Sequence, residues 1–279
     1  MISLEQQLAK LVRAPDSVFD MAECALIVAQ HEYPDLDIQA YLQRLDQIAD
    51  RLLQRLPSDA AKPHLLSMLN HYLFRELGYA GNLDNYYDPR NSFLNDVIDR
   101  RVGIPITLSI FYMEIGRRIG VNLQGVSFPG HFLAICTTDQ GVIVLDPFNK
   151  GASLSEADLR ERLRQSGNQS SASETSLATL LRPATAEEIL IRLARNLKGI
   201  YVESSDLEKA VAMSNLILCL HPLDAKELRD RALMYHKLFC FRAALADYEH
   251  LVEIDADAAE DDDIRATMEE LKQKNRLLN

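Results

Sequence analysis

The sequence predicts an α+β protein with an all-helical tail, and three observations support that fold class. Apolar residues recur at helical spacing in the N-terminal part, most regularly over residues 38–56. An almost wholly apolar helix, beginning at Pro105, precedes three short strand candidates. The C-terminal part repeats a pattern of small and aromatic residues at a constant offset. Helices that lead into a small antiparallel sheet are typical of the α+β class.

Composition excludes several classes of function. Of the 279 residues, 47% are hydrophobic and 25% charged, as expected of a globular protein with a substantial core. The net charge of −11 argues against nucleic acid and anionic membrane surfaces as partners, because phosphate groups are bound by clustered Lys and Arg. The four cysteines form no CxxC pair, and no signal peptide or membrane span is visible. We therefore expect a cytoplasmic protein.

Start and stop signals place the N-terminal helices. Asp16 is suited to cap a helix that ends near Ala29, and residues 38–56 form the next one. Pro63 suits the first turn of a third helix, which Gly78 would end in the left-handed conformation. A polar loop then leads to a short amphipathic segment and to the apolar helix "PITLSIFYMEIGRRIG". A helix this apolar is normally buried on most sides. Three strands are predicted after it, at residues 123–128, 131–136 and 142–145.

Residues 165–182 are predicted to form a linker between two domains, at residues 1–164 and 183–279. The stretch "QSGNQSSASETS" contains no apolar residue larger than Ala, so it cannot bury enough surface to offset its ordering entropy. The "TAEE" sequence at Thr185 then indicates a capping box at the start of a helix.

The second domain contains an internal repeat. The offset is 34 residues, the tetratricopeptide period, since Tyr201, Ala210 and Pro222 recur as Tyr235, Ala244 and Ala256. In the first copy, Lys198 stands where a small residue is usual and Ser214 where an aromatic is usual. Two copies are fewer than normally stand alone, so we expect this part to dock on the first domain, with residues 263–277 as a capping helix. Ordinary helical hairpins are the alternative.

The stretch "FPGHFLAICTTDQGVIVLDPF" has two apolar runs, and each carries one ionisable residue, His131 or Asp146. If residues 137–140 form the turn, antiparallel counting sets the two opposite each other, with Cβ atoms about 5 Å apart on one face. The carboxylate would then accept the Nδ1–H of the imidazole, the orienting half of a nucleophile–His–acid triad. A one-residue change in the turn would separate them. The alternative is a partly exposed His and an unrelated strand-end Asp.

Several motifs occur in an order that resembles a known family. The segments "NSFLNDVIDRRVGIPITLSIFYMEIGRRIGV", "VSFPGHFLAI" and "VLDPFNKG" resemble the bacterial SirB-type family, in which a transglutaminase-like (papain-related) domain precedes tetratricopeptide-like helices. The resemblance covers nearly the whole chain and implies a regulatory role. It also implies that His131 and Asp146 match the second and third members of a Cys–His–Asp triad.

The first triad member is missing. By the same resemblance, the nucleophilic Cys belongs at the N-terminus of the apolar helix, where this chain has Ile104, Pro105 and Ile106. None of these side chains can attack a carbonyl group. Cys136 has the opposite strand parity to the histidine, and Cys24 lies in an early helix. We therefore consider thiol catalysis of the superfamily type excluded by the sequence.

Other polar residues are candidates for a cleft beside the histidine. The hydroxyls of Thr107 and Ser109 could reach it, although such groups in a buried helix more often bond back to its carbonyls. Asn95, Arg100 and Asn149 are further candidate binding residues, with a loop over the cleft at residues 86–88. No cofactor is predicted. No metal site is predicted either, because two protein ligands are too few for a catalytic zinc.

Two functions follow from these observations. In the first, the chain is a non-catalytic scaffold that binds a protein or peptide partner through the repeat tail. In the second, it is a hydrolase or transferase on peptide-like amides, with His131 as general base. A weaker third hypothesis is that the tail covers the cleft and inhibits it.

Overall fold

The computed structural model describes residues 3–13, 20–57, 59–165 and 176–277. The chain divides into one unit made of Met1–Lys10 and Ala194–Asn279, and a second made of Leu11–Leu193. The domain boundaries inferred at residues 164 and 183 stay predictions. Asp16 and most of the predicted linker, residues 166–175, lie outside the described part of the chain.

The helices of the first two hundred residues largely follow the predicted periodicity. The second helix begins at Met21, because Asp20 accepts a hydrogen bond from the backbone N–H of Glu23. A π-helical turn, His71–Glu76, extends the fourth. The bounds are α1 Leu4–Arg13, α2 Met21–Ala29, α3 Ile38–Leu53, α4 Lys62–Asn70, α5 Leu94–Arg100, α6 Pro105–Arg118, α7 Glu156–Gln165, α8 Leu177–Leu180 and α9 Ala186–Glu203.

Helix α6 is the buried centre of the larger unit. All its residues before Arg117 are buried, as the apolar pattern predicted. At its C-terminus, Arg117 and Arg118 donate to Oε2 of the buried Glu114, over 2.8 and 2.5 Å. Arg117 also donates to Asp20, and Arg118 to Asp46, both over 2.7 Å. The basic end of α6 is therefore fastened to the start of α2 and to α3.

A four-stranded antiparallel sheet follows α6 in the order β3-β4-β5-β6, and a two-stranded parallel pair, β1 and β2, precedes it. The last strand was not predicted. One face of the four-stranded sheet packs against Leu159 and Leu163 of α7. The bounds are β1 Ala80–Gly81, β2 Val102–Gly103, β3 Leu123–Val126, β4 Leu133–Thr138, β5 Gly141–Asp146 and β6 Ala152–Leu154.

The predicted hairpin register is wrong by two residues. Thr138, rather than Cys136, pairs with Gly141, so the turn consists of Asp139 and Gln140 alone. Because side chains alternate between faces with a period of two, this shift leaves every side chain on its predicted face. The parity argument for the hairpin therefore survives the register error.

The smaller unit is helical, which confirms the predicted helical tail. Beyond α9 its helices are α10 Leu207–Leu220, α11 Ala225–Lys237, α12 Phe241–Ile254, α13 Ala256–Glu260 and α14 Asp262–Leu277. In the second repeat copy, which follows the tetratricopeptide pattern more closely, small and large residues interlock. Ala232 and Ala244 are fully buried there beside Tyr248. Among the described residues, no helix is long and apolar enough to cross a membrane.

The two departures from the repeat pattern belong to one polar cluster. The side chain of Glu227 is buried, with the residue only 2% exposed. Lys198 donates to both of its carboxylate oxygens over 2.8 Å, and Ser214 donates to Oε1 over 2.6 Å. A buried carboxylate without such partners would be strongly destabilising. Lys198 and Ser214 are therefore required to satisfy the buried carboxylate of Glu227, a residue distant from both in sequence.

A pair of glycine substitutions tests the packing around the strand that follows the hairpin. Gly151 has φ +71°, and a Cβ there would lie 2.2 Å from Oδ1 of Asn70, which itself accepts a hydrogen bond from Tyr112. We expect Gly151→Ala to lower the free energy of unfolding by about 2–3 kcal/mol. The matched control is Gly199→Ala within α9, where no atom would lie within 4 Å of the new Cβ. It should raise stability by about 0.5–1 kcal/mol in the same urea titration. Equal effects would contradict the packing at Gly151.

Candidate functional site

The site is built around the side chain of Asp146, which is 1% exposed at the end of β5. The imidazole of His131 lies beside it, with Nε2 2.9 Å from Oδ1. The structure therefore brings together the two residues that the hairpin argument paired. The prediction that Nδ1 would contact the carboxylate is wrong. His131 lies in a turn before β4, where its backbone N–H donates to the carbonyl of Phe128. Its ring therefore approaches the carboxylate from beyond the end of the strand.

Asp146 has two further hydrogen-bond donors. Arg162 of α7 donates from Nη2 to Oδ2 over 2.6 Å, and the backbone N–H of Asn149 donates to Oδ1 over 3.2 Å. Burial by itself raises the pKa of the Asp146 carboxyl. The hydrogen bond from His131 and the nearby positive charges outweigh it, so the pKa lies below its usual value. The carboxylate is ionised and accepts every bond it makes, which means that Nε2 of the imidazole carries a proton.

Sequence reasoning missed Arg162. A signal was present, because Leu159 and Leu163 mark the apolar face of α7 and Arg162 lies three residues after the first of them. A cation on the buried face of a helix usually indicates a buried carboxylate. The distance of 16 residues from Asp146, just before the predicted linker, obscured the partner.

Arg192 of α9 is a second residue that sequence reasoning missed. Its guanidinium donates to the carbonyl of His131 over 2.7 Å and to that of Phe128 over 3.2 Å. It also lies 5.5 Å from the ring centroid of Phe132. Burial lowers the pKa of Arg192, which is consistent with a guanidinium bonded to carbonyl oxygens rather than to a carboxylate. These contacts hold the loop that carries the imidazole.

Aromatic rings flank the imidazole. Phe148 meets it edge to face with centroids 5.9 Å apart, and Tyr86 lies 6.2 Å from Phe148. Gly81 of β1 is required for this arrangement, since a Cβ there would lie 2.5 Å from the Phe148 ring. The His131 side chain is 15% exposed, and its Nδ1 has no hydrogen-bond partner among the described residues.

The predicted cleft residues divide into those at the pair and those elsewhere. Asn149 contacts Asp146, but through its backbone, while its side chain is exposed. Asn95 and Ser109 are buried in α5 and α6, with Oδ1 and Oγ lacking a hydrogen-bond partner. Neither bonds to His131 or Asp146 within the described part of the chain.

Arg100 contacts Asp88 rather than the cleft beside the histidine. Its Nη2 lies 3.3 Å from Oδ2 of Asp88, and Arg90 donates to the same carboxylate. The hydrogen bond from Arg90 lowers the pKa of the buried Asp88, which also accepts from the backbone N–H of Arg90. Asp88 and Arg100 therefore stabilise the turn Pro89–Asn91. Of the predicted loop at residues 86–88, Tyr86 contacts Phe148, the ring beside the imidazole, and Tyr87 contacts Tyr86.

Neither Thr107 nor the two buried cysteines, Cys24 and Cys136, are prepared for attack. The Thr107 hydroxyl donates to the carbonyl of Asn91 over 2.6 Å and accepts from the N–H of Ile104. Burial raises the pKa of the Cys24 thiol to about 12 and also raises that of Cys136. Both thiols are therefore protonated at neutral pH. In the described part of the chain, no three His, Cys, Asp or Glu side chains are grouped closely enough to hold a metal ion.

Removing the charge of Asp146 tests the pair. We expect Asp146→Asn to lower the free energy of unfolding by roughly 3 kcal/mol at pH 7, because it leaves the cation of Arg162 without its carboxylate. Since the folded-state pKa of Asp146 is depressed, its contribution is present above the unfolded value of about 3.9 and is lost as pH falls through the folded pKa. Urea titrations at several pH values should show the two proteins converging in acid.

The control for this experiment is Asp139→Asn, in the exposed turn between β4 and β5. It should change stability by less than about 0.5 kcal/mol. A difference between Asp146→Asn and wild type that persists unchanged into acid would contradict the ionised, paired carboxylate.

Comparison with known protein families identifies two parts of the chain. Residues 39–195 match the family model of the transglutaminase-like superfamily, and residues 197–272 match a tetratricopeptide repeat model. Human F-box only protein 21 is 31% identical over 177 residues, which cover 53% of this chain and 28% of that protein.

Two bacterial relatives align over most of their length. A UPF0162 protein of Xylella fastidiosa is 39% identical over 244 residues, covering 88% of this chain and 87% of the relative. A UPF0162 protein of Pseudomonas aeruginosa is 30% identical over 251 residues, covering 90% and 89%. These matches confirm the predicted order of a transglutaminase-like domain followed by tetratricopeptide repeats. The chain therefore belongs to the transglutaminase-like superfamily and, within it, to the bacterial UPF0162 family.

Proposed function

We propose that this protein is a non-catalytic scaffold, a transglutaminase-like pseudoenzyme whose repeat helices bind a protein partner. One observation carries the proposal: the N-terminus of α6 has no group that can attack a carbonyl. Ile104, Pro105 and Ile106 occupy it, and the nearby Thr107 hydroxyl is committed to the carbonyl of Asn91. Attack on an amide requires a nucleophile within reach of the base.

The His131–Asp146 pair has a structural role in this proposal. Asp146 joins the end of β5, the loop that carries His131 and helix α7 through side-chain hydrogen bonds. Removing one partner of such a buried pair leaves an uncompensated charge, at a cost of roughly 3–5 kcal/mol. The pair therefore contributes to folding whether or not the protein catalyses a reaction.

The repeat helices support a binding function. Tetratricopeptide repeats match residues 197–272, and solenoid repeats of this kind bind segments of other proteins. A regulatory role and a cytoplasmic location are further parts of the proposal, and the sequence expectations support both.

A hydrolase is the second candidate, and one observation favours it. With Nε2–H donated to Asp146, a neutral His131 presents Nδ1 as a hydrogen-bond acceptor, and that atom is unpartnered within the described residues. An imidazole oriented in this way can act as general base toward water. The reaction class would be hydrolysis of a peptide-like amide without a covalent intermediate.

Comparing wild type with His131→Ala distinguishes the two candidates. Both proteins would be incubated with glutamine-containing peptides, with and without an amine donor, and ammonia and new peptide termini measured. We expect neither protein to exceed the buffer blank. In parallel, affinity capture with the intact chain should enrich the same proteins for wild type and for His131→Ala, because the imidazole does not contribute to partner binding.

His131→Gln provides the control for this experiment, since its amide can still donate to Asp146 while lacking the basicity of imidazole. A turnover in wild type that falls by about a hundredfold or more in both variants would establish the hydrolase and overturn the scaffold. Loss of the captured proteins in both variants would equally contradict the scaffold.

A further inference from the structure

An exposed aromatic surface lies at the turn between α11 and α12. We call it the Phe239 patch and define it by Leu233, His236, Lys237, Phe239, Phe241, Arg242 and Lys274. Phe239 is 77% exposed and Leu233 45%. Two cavities, of about 330 and 550 Å³, adjoin both Phe239 and Phe241. Apolar side chains concentrated in this way on a surface mark an interaction site.

The backbone at Phe239 is strained as well. Its φ is +58°, the left-handed conformation in which helices commonly end with Gly. A bulky side chain in this conformation is an outlier with a cost of about 1–2 kcal/mol. Phe239 makes little apolar contact in return, because most of it is exposed. Folding stability therefore does not account for a phenylalanine at this position, whereas contact with a ligand does.

The patch carries positive charge on an acidic protein. Lys237 and Arg242 are exposed, and neither has a carboxylate within 4.0 Å among the described residues. Lys274 lies 4.8 Å from the ring centroid of Phe241 and pairs with Glu270. Lys237 and Arg242 therefore give this surface positive charge although the chain as a whole has a net charge of −11. Their charge complements an acidic ligand.

We propose that the Phe239 patch binds a short acidic protein segment that carries one aromatic side chain. The aromatic side chain packs beside Phe239 and Phe241, and the acidic residues meet Lys237 and Arg242. This inference rests on the proposed function, since it names the class of partner that the repeat helices bind. Apolar contact supplies most of the affinity, while the charges select acidic segments and make binding sensitive to salt.

Fluorescence anisotropy with three labelled peptides tests the proposal on the full-length chain. The first peptide consists of Glu and Asp with one central Phe, the second replaces that Phe by Ala, and the third replaces every acidic residue by Lys. We expect the first to bind at least about tenfold more tightly than either of the others, a difference of 1.4 kcal/mol or more. Its affinity should fall as salt is raised.

Phe239→Gly is the decisive variant. Glycine accepts the positive φ without strain, so the variant should unfold at the same temperature as wild type or a higher one, yet bind the first peptide at least about tenfold more weakly. Lys237→Gln combined with Arg242→Gln should weaken binding several-fold and reduce its dependence on salt. The matched control is Leu223→Ala, which removes a 66% exposed side chain from another turn of the same unit and should leave binding unchanged.

Three results would overturn the inference. The first is equal binding of the acidic and basic peptides, and the second is unchanged binding by Phe239→Gly. The third is self-association of wild type that Phe239→Gly abolishes, which would assign the patch to a second copy of the chain. These outcomes are distinct from failure of the scaffold proposal, which would appear as turnover dependent on His131 whatever the peptides do.

Discussion

The buried carboxylate of Asp146 holds three segments of the larger unit together. Asp146 is almost completely removed from water, and an isolated ion in that position would cost several kcal/mol. It is compensated by the imidazole of His131, the guanidinium of Arg162 and a backbone N–H. These donors come from a loop, a helix and a turn, so satisfying one charge fixes the relative positions of three segments.

This explains how a histidine–aspartate pair can have a structural role beside a helix whose N-terminus carries no cysteine. In a catalytic triad the carboxylate orients the imidazole. Here the same contact also neutralises a buried charge, and that role continues when the attacking group is absent. Presence of the pair is thus no evidence of catalysis by itself. The N-terminus of α6 is the informative position, and Ile104, Pro105 and Ile106 are chemically inert there.

Buried carboxylates organise other parts of the chain by the same logic. Glu114 holds the two arginines at the end of α6, which in turn reach Asp20 and Asp46. In the smaller unit, Glu227 explains why the first repeat copy has Lys198 and Ser214 in place of the usual residues. The Phe239 patch is the opposite case. There an apolar side chain is exposed in a strained backbone, and Lys237 and Arg242 beside it have no carboxylate within 4.0 Å among the described residues, which supports the proposed ligand.

The sequence by itself determined the fold class, the burial of α6, the repeat period and the proximity of His131 to Asp146. These features follow from local periodicities of 3.6 and two residues, which neighbouring residues in the chain are sufficient to define. The tertiary structure decided the two-residue turn, the choice of Nε2, and the roles of Arg162 and Arg192. It also placed Arg100 on Asp88 rather than at the imidazole. Apart from the turn, each of these depends on which distant donor reaches a given acceptor, and that is decided by the packing of whole helices against the sheet, not by spacing along the chain.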